Sequence, residues 1–206
     1  MSSVRTRSPA PIIMEYIVQK HFGSTGPTMY SSTIDADFLN FLKTISEQTK
    51  EQAVNVGQYL WSNNNAALKK QLKIQFTEEQ QTVFLQNIKK HVLTYVSTAE
   101  QTKLENIDFV LTEHQWVNFQ NATEYIDFHT HGGEMSCVIY IDVPRDILQG
   151  RDGSIEFLHN NISHIIQPAN STILLFPSDL FHKVYPFKID RERISMSFNL
   201  ANFILK

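Results

Sequence analysis

The chain has 206 residues, of which 42% are hydrophobic and 19% are charged, and its formal net charge is −3 at pH 7. This length is enough for one domain with a sizeable core, and the composition is ordinary for a globular protein. The slightly acidic balance excludes a global attraction to nucleic acid or to an anionic membrane, and it leaves only a local basic groove open.

A single cysteine, Cys137, means that this sequence cannot form an intrachain disulfide, which fits a reducing compartment. The N-terminal segment lacks the continuous apolar stretch of a secretory signal. No run of about 18 apolar residues predicts a membrane span. We therefore expect an intracellular, cytoplasmic protein.

The first half of the chain favours helices. Residues 1–11 are rich in Ser, Arg and Pro and are typical of a loose arm. Residues 12–22 are a candidate first strand, although their apolar residues are too dense to distinguish strand from helix. Asp35 is a plausible N-cap for a helix that ends near Ala53, because apolar residues follow it at helical spacing.

Two further helices are predicted before residue 104. Residues 66–74 favour a short helix. Thr77, followed by Glu79 and Gln80, begins a clearer helix that continues to about Thr98 with one apolar face.

From residue 104 the apolar period changes from helical to alternating. Turn-forming residues separate several strands, which we predict at 107–120, 123–131, 135–143, 153–159, 162–168, 171–177, 181–187 and 193–200. Eight short strands behind a helical layer predict a mainly β fold of the α+β class, a double-stranded β-helix or jelly-roll barrel. We expect one domain over 1–206, with an arm and helical support in 1–103 and the jelly-roll core in 104–206.

The densest chemical signal is a pair of histidines on one strand. His129 and His131 lie two residues apart, so both side chains point to the same face. Gly132 and Gly133 then allow a sharp turn. His182 follows much later, on another predicted strand. Imidazole suits iron, and mononuclear iron sites for oxygen chemistry typically use two histidines and a carboxylate on one face of an octahedron. These three histidines are our candidate metal ligands.

A basic residue follows the third histidine. Arg193 lies eleven residues after His182, and Ser195 shares its strand face. If the cosubstrate is 2-oxoglutarate, its far C5 carboxylate needs a cation, and a guanidinium can pair with it bidentately. Arg193, helped by Ser195, is the candidate anchor. Arg191 is the competing one, although it lies in the predicted turn.

Several segments resemble, in order and spacing, a family of Fe(II)/2-oxoglutarate oxygenases marked by Trp-x-Asn, His-x-His and Ser-Gly-Val-Tyr-Tyr segments. The resemblance covers about residues 114–200. More distantly, the arrangement of these residues is similar to that of prolyl hydroxylases. It is carried by Trp116-Val-Asn118, His129-Thr-His131, Ser136-Cys-Val-Ile-Tyr140, Gly153-Ser-Ile-Glu-Phe157, Leu174-Leu-Phe-Pro-Ser178, His182-Lys-Val-Tyr-Pro186 and Arg193-Ile-Ser-Met-Ser-Phe-Asn199. The resemblance implies a double-stranded β-helix, Fe(II), and oxidative decarboxylation of 2-oxoglutarate to succinate and carbon dioxide with hydroxylation of a substrate C–H bond.

The chain departs from the family pattern at two positions. Cys137 replaces a glycine, which we expect to change only packing. No carboxylate stands at position 131, where His-x-Asp enzymes have their acid. His131 can itself be the ligand, or Glu134 can swing in as the carboxylate ligand. In a third alternative, His131 plays the role of the first histidine and Gly133 leaves the carboxylate position vacant, as in halogenases. We expect His131, because the spacing supplies it directly.

Four further side chains have open roles. Asp127 shares a face with His129, and it either accepts an imidazole N–H or is simply solvated. Trp116 is expected to pack in the core, whereas Asn118 can bond cosubstrate or substrate. Tyr140 either reaches 2-oxoglutarate or packs in the barrel core.

Two other functions remain alternatives. A cupin-like metalloprotein, such as a direct dioxygenase or an isomerase, would use the histidines without 2-oxoglutarate. A non-catalytic barrel would bind a sugar or a protein partner without metal. The substrate class stays open between a small molecule, a nucleotide and a peptide, and the sequence does not predict an oligomeric state.

Overall fold

The structure is a computed structural model that describes residues 17–19, 26–56, 68–112, 115–147 and 150–206. Two helices, α1 (Ala36–Val56) and α2 (Glu78–Ala99), and a short 3-10 helix at Arg145–Ile147 accompany the strands. The strands in chain order are β1 (Ile17–Gln19), β2 (Met29–Thr33), β3 (Gln71–Lys73), β4 (Ile107–Leu111), β5 (Trp116–Gln120), β6 (Ile126–His129), β7 (Met135–Asp142), β8 (Ile155–His159), β9 (Ile162–Ile166), β10 (Thr172–Pro177), β11 (Phe181–Val184) and β12 (Arg193–Leu205).

Both long helices begin where the capping residues predict. The Asp35 carboxylate accepts a hydrogen bond from the Phe38 backbone N–H at 2.9 Å, and α1 begins at the next residue after Asp35. Thr77 and Gln80 form a reciprocal capping box at the start of α2. Each arrangement satisfies backbone donors that the first helical turn leaves unpaired. The predictions for both helices are confirmed to within a few residues.

The predicted short helix at 66–74 is wrong in the part that the structure describes. Residues 71–73 form β3, which pairs antiparallel with β5. Leu72 is buried in the core, whereas Gln71 and Lys73 point to the other side of the sheet and line a cavity. The alternation of a strand therefore overrides a weak helical pattern in a segment this short.

Two strand predictions need smaller corrections. The single strand expected at 107–120 is two strands, because β4 pairs with the end of β12 and β5 pairs with its beginning. Of the first candidate strand at 12–22, only 17–19 is described, as β1. The first half of the chain thus contributes strands β1 to β3 as well as helices.

The strands form two sheets. The larger is eight-stranded with the order β1-β2-β10-β7-β12-β5-β3, and β4 pairs with β12 beside this path. The smaller is four-stranded with the order β6-β11-β8-β9. The described strands of both sheets pair antiparallel. Two facing antiparallel sheets with helices on one of them agree with the predicted jelly-roll barrel and its helical layer.

The core has two parts. One cluster joins the helices to the outer face of the larger sheet and includes Phe38, Phe84, Ile88, Ile139 and Phe198. The other lies between the two sheets and includes Tyr140, Ile155, Phe157, Leu174 and Phe176. Because the helices cover one face of the larger sheet, its other face is left to form the wall of the barrel interior.

In the part of the chain that the structure describes, neither helix is long and apolar enough to cross a membrane.

Candidate active site

The three predicted histidines meet at one mouth of the barrel. His129 ends β6, and His182 lies directly opposite it on the paired strand β11. His131 follows in the connection to β7, where its backbone N–H donates to the Ser178 carbonyl at 2.9 Å. Antiparallel register therefore brings together two histidines that are far apart in the chain.

The nitrogen atoms of this group are close enough to share an ion. One ligand atom from each of His129, His131 and His182 lies within 4.8 Å of the others. Nitrogens on one face of an octahedron are about 3 Å apart when each metal bond is about 2.1 Å long.

Two of the rings are held in the orientation that a ligand needs. Nδ1 of His129 lies 2.7 Å from the Asp127 carbonyl, and Nδ1 of His182 lies 2.8 Å from the Leu180 carbonyl. A carbonyl can only accept, so each Nδ1 carries the proton and each Nε2 has a free lone pair.

Burial keeps the three imidazoles neutral. It lowers the pKa of His182 to about 3 and that of His131 to about 4, with the neighbouring imidazole of His129 adding to both effects. Burial also lowers the pKa of His129, and its hydrogen bond to the Asp127 carbonyl partly opposes this. Neutral imidazole is the form that binds a metal.

The carboxylate at position 134 lies outside this group. Glu134 is exposed, and its Oε1 accepts a hydrogen bond from the Asn202 backbone N–H at 2.8 Å. Gly133 adopts φ +91°, and a Cβ there would lie 3.0 Å from the Leu200 carbonyl oxygen. Among the described residues, the candidate metal-binding group consists of histidines alone, and it includes His131.

The carboxylate of Asp127 does not bond the imidazole. It is exposed and accepts from the Phe128 backbone N–H, while the backbone carbonyl of the same residue serves His129. The solvated alternative for this side chain is therefore the correct one.

Arg193 is the buried cation of the barrel. Its side chain is 2% exposed, donates from Nη1 to the Gly153 carbonyl, and lies with its guanidinium carbon 5.5 Å from the centre of the Tyr140 ring. Its Nε has no partner, and no described carboxylate forms an ion pair with it. Burial lowers the pKa of this guanidinium, but an arginine in a protein keeps its charge. Arg191, by contrast, is exposed.

The histidines and the arginine line one cavity of about 750 Å³. A cavity of this size is typical of small-molecule sites. Ser195 and Tyr140 line it near Arg193, and burial raises the pKa of the Tyr140 phenol, which the Arg193 charge partly opposes. Apolar side chains complete the walls, including Ile126, Val138, Ile155, Phe176 and Val184.

A chain of amide and hydroxyl groups lines another wall. Gln71 donates to Asn118 at 2.8 Å, and Asn118 donates to Ser197 at 3.2 Å. The Trp116 ring lies in the cavity wall, 5.9 Å from the His131 ring, so it is not only a core residue. Ser136, which also lines the cavity, donates to Asn199 at 2.8 Å.

The sequence points to Trp116 and Asn118, but it assigns no role to several polar residues of the cavity wall, among them Gln71, Lys73, Ser197 and Asn199. The alternation of Ser197 and Asn199 with Arg193 and Ser195 along β12 was a readable signal for two of them. Gln71 and Lys73 have no such signal, because the sequence pattern predicts a helix over residues 66–74.

Comparison with known proteins finds a sequence similarity in the region that carries this site. Residues 114–199 match the family model described as "Putative 2OG-Fe(II) oxygenase". None of the curated proteins compared matches the chain in sequence.

Solved structures share the fold. A prolyl-4-hydroxylase from Pseudomonas putida superposes with a TM-score of 0.55 at 13% identity, covering 80% of this chain and 88% of its own. AviO1 from Streptomyces viridochromogenes Tue57 superposes with a TM-score of 0.55 at 9% identity, covering 84% and 89%. EvdMO1 reaches a TM-score of 0.59 at 12% identity, covering 84% of this chain and 47% of its own.

At these identities, the similarity to solved structures shows the fold alone. The family model adds a sequence similarity that is limited to residues 114–199. That match spans the jelly-roll strands β5 to β11 and most of β12, with all three histidines and Arg193. Over residues 114–199, the chain is therefore similar in sequence to the 2OG-Fe(II) oxygenases.

Proposed function

We propose that this protein is an Fe(II)- and 2-oxoglutarate-dependent dioxygenase that hydroxylates a C–H bond of its substrate and releases succinate and carbon dioxide. The observation that carries the proposal is one cavity with three neutral imidazoles at its mouth and a buried, unpaired guanidinium along its wall. A buried cation without a counter-charge is costly. A dicarboxylate that also chelates a metal supplies that charge.

In this proposal, His129, His131 and His182 hold the iron through Nε2, and Arg193 pairs with the C5 carboxylate of 2-oxoglutarate. Ser195 and Tyr140, which line the cavity near Arg193, add hydroxyl hydrogen bonds to the same carboxylate. The donor set fits Fe(II), because neutral imidazole is a common ligand of that ion. When bound, the iron supplies the redox chemistry that couples decarboxylation to substrate oxidation.

The protein side chains position and shield the reactants. The carbonyls of Asp127 and Leu180 hold two imidazoles in place. The apolar wall formed by Ile155, Phe176 and Val184 excludes water from the space between the metal group and Arg193. Exclusion of water strengthens the Arg193–carboxylate pair.

The decisive experiment is anaerobic addition of Fe(II) and then 2-oxoglutarate to the purified protein, monitored for the visible charge-transfer band of the chelate. We expect the band with the wild-type protein. We expect Arg193→Leu to lose the band while Fe(II) binding persists, because the metal ligands are intact. Arg191→Leu is the matched control and should leave the band unchanged, because Arg191 is exposed. Absence of the band in the wild-type protein contradicts the proposal.

One observation favours a second candidate function. The described metal group contains no carboxylate, so a cupin-like metalloprotein that acts without 2-oxoglutarate also fits the donors. In that case Fe(II) binds, 2-oxoglutarate does not perturb its spectrum, and Arg193→Leu changes neither result.

We further propose that residues 1–206 act as one domain, because strands β2 and β3 from the first half of the chain join the sheet that forms the cavity wall. The prediction of an intracellular, cytoplasmic location continues to rest on the single cysteine.

A further inference from the structure

Three buried polar atoms without a hydrogen-bond partner belong to residues around the guanidinium of Arg193. They are Nε of Arg193 itself, Oε1 of Gln120 and Oγ of Ser154, and none of the described residues supplies a partner for any of them. The exposed fractions of these residues are 2%, 1% and 0%. Because buried polar groups are nearly always hydrogen-bonded, three unpaired ones in one region need a physical explanation.

The backbone brings these three residues together. Gln120 on β5 lies directly opposite Arg193 on β12, so both side chains point to the same face of the sheet. Nη1 of Arg193 donates to the carbonyl of Gly153, the residue before Ser154. The backbone of Tyr185 then joins the other two, because its N–H donates to the Ser154 carbonyl at 2.9 Å and its carbonyl accepts from Gln120 at 3.2 Å.

The orientation of the Gln120 amide is determined by its neighbours. Its Nε2 donates to the backbone carbonyls of Glu124 and Tyr185. A carbonyl can only accept, so the nitrogen has to face these two groups and the oxygen has to face away from them. Both N–H groups of the amide are then used. Gln120 therefore offers its surroundings an acceptor and no further donor.

We propose that Gln120 is a positioning residue for Arg193, and that its Oε1 accepts a hydrogen bond from the Arg193 Nε–H. A guanidinium has five N–H groups in one plane. The Gly153 carbonyl uses one of them, on Nη1, and Gln120 uses the one on Nε. The edge formed by Nη1 and Nη2 is left for a carboxylate ligand. The Ser154 hydroxyl can donate to the second lone pair of Oε1, which satisfies the last of the three atoms.

The neutral charge of this acceptor explains why an amide suits position 120. An amide carbonyl fixes the guanidinium without cancelling its charge, whereas a carboxylate at the same position would neutralise it. No described carboxylate forms an ion pair with Arg193. Arg193 thus keeps its charge for a ligand. The inference rests on the proposed function for the identity of that ligand, the C5 carboxylate of 2-oxoglutarate.

The first test compares two ligands of the Mn(II)-loaded protein by calorimetry. N-oxalylglycine, an unreactive analogue of 2-oxoglutarate, carries the far carboxylate that Arg193 would bind, whereas oxalate can bind only the metal. We expect Gln120→Glu to weaken N-oxalylglycine binding by about a hundredfold and Gln120→Met to weaken it by about tenfold. Oxalate should bind both variants as it binds the wild type.

The ratio of the two affinities separates positioning from general damage to the fold, which would weaken both ligands. Gln86→Glu makes the same chemical change at an exposed position of α2 and is the matched control. It should leave both affinities unchanged. A thermal unfolding curve for each variant verifies that it is folded.

The second test needs neither a ligand nor a folded variant at position 120. In proton–nitrogen NMR spectra of the metal-free protein, the arginine Nε–H signal that disappears in Arg193→Leu belongs to Arg193. We expect it at lower field than the signals of the exposed Arg151 and Arg191, because a hydrogen bond to a carbonyl deshields the proton. Coupling through the hydrogen bond should connect it to the side-chain carbonyl carbon of Gln120.

Two results overturn the inference. One is a ratio of N-oxalylglycine to oxalate affinity that stays at the wild-type value in folded Gln120→Glu and Gln120→Met. The other is an Arg193 Nε–H signal with neither the shift nor the coupling, and this result decides alone if the two variants do not fold. Failure of N-oxalylglycine to bind the Mn(II)-loaded wild type refutes the proposed function instead, and the NMR measurement still tests the role of Gln120.

Discussion

At the scale of single residues, the backbone around the histidines is as important as the imidazoles. His131 is followed by Gly132 and by Gly133, whose φ of +91° lies in the region that favours glycine. The backbone N–H of the next residue donates to the Leu200 carbonyl at 2.9 Å and ties this turn to β12. The turn therefore determines where the His131 ring sits relative to the other two.

We predict that Gly133→Ala destabilises the protein and weakens metal binding. The new methyl group would be in a strained conformation and would also meet the Leu200 carbonyl oxygen at 3.0 Å and the Thr112 hydroxyl at 3.3 Å. The strain of φ alone is about 1–2 kcal/mol, and the clash adds to it. Urea unfolding and Mn(II) titration measure the two effects.

Gly150→Ala separates strain from clash. Gly150 has φ +63°, but nothing lies within 4 Å of a Cβ at that position. The Gly150→Ala variant should lose about 1 kcal/mol of stability and keep its affinity for Mn(II). Equal losses of metal affinity in both variants would refute the role that we assign to the turn.

At the scale of secondary-structure elements, a buried histidine joins helix α2 to the sheet. His91 is 2% exposed, and its Nδ1 lies 2.9 Å from the Tyr30 hydroxyl on β2. Burial lowers the pKa of His91 to about 4, the charge of Lys90 adds to this effect, and that of Asp35 opposes it. The contact between the helical layer and the sheet therefore includes an imidazole that burial keeps uncharged.

The sign of the resulting pH dependence follows from linkage. Above pH 6.5, the ordinary pKa of histidine, His91 is neutral in both the folded and the unfolded protein. Between pH 6.5 and about 4, the unfolded chain binds a proton that the folded protein excludes, so stability falls as the pH falls. We expect His91 to contribute a loss of about 2 kcal/mol between pH 7 and pH 5.

The measurement is the free energy of unfolding in urea at pH 7 and pH 5, for the wild type and for His91→Gln. The variant lacks the titrating group, so its stability should fall by about 2 kcal/mol less over this interval. The three cavity histidines titrate in both proteins and cancel in the comparison. The same pH dependence in both proteins would show that His91 is not protonated selectively in the unfolded chain.

At the scale of the whole molecule, local chemistry was predictable and long-range register was not. The side chains of His129 and His131 share a face because a strand has a period of two residues. The same rule puts the side chains of Arg193 and Ser195 on one face of their strand. By contrast, the position of His182 opposite His129 depends on the pairing of β11 with β6. The exclusion of Glu134 depends on a hydrogen bond to Asn202, 68 residues away.

Short elements were the least predictable. Strand β3 has three residues, too few to display a period, and it owes its conformation to pairing with β5. Its misassignment concealed Gln71 and Lys73, which point into the cavity. The part of the cavity wall that these two residues line was therefore not predictable from the sequence, whereas the candidate metal group was.

The division of the site between two sheets leads to a last prediction. The smaller sheet carries His129 and His182, and the larger sheet carries Arg193, Ser195 and Tyr140. A molecule that binds the metal at one end and Arg193 at the other must bridge the two sheets. Metal and 2-oxoglutarate should therefore bind with positive coupling, and each should raise the affinity of the other by the same factor.

Calorimetry with Mn(II) and N-oxalylglycine, added in both orders, measures this factor, and linkage requires the two orders to agree. Each ligand alone, at 100 times its Kd, should raise the free energy of unfolding by about 2.7 kcal/mol. With both ligands present, the free energy of unfolding should rise by more than the sum of these separate effects. In Arg193→Leu the contribution of Mn(II) should remain and that of N-oxalylglycine should disappear. Equal affinity for the analogue with and without Mn(II) would mean that it occupies the Arg193 end without reaching the metal group.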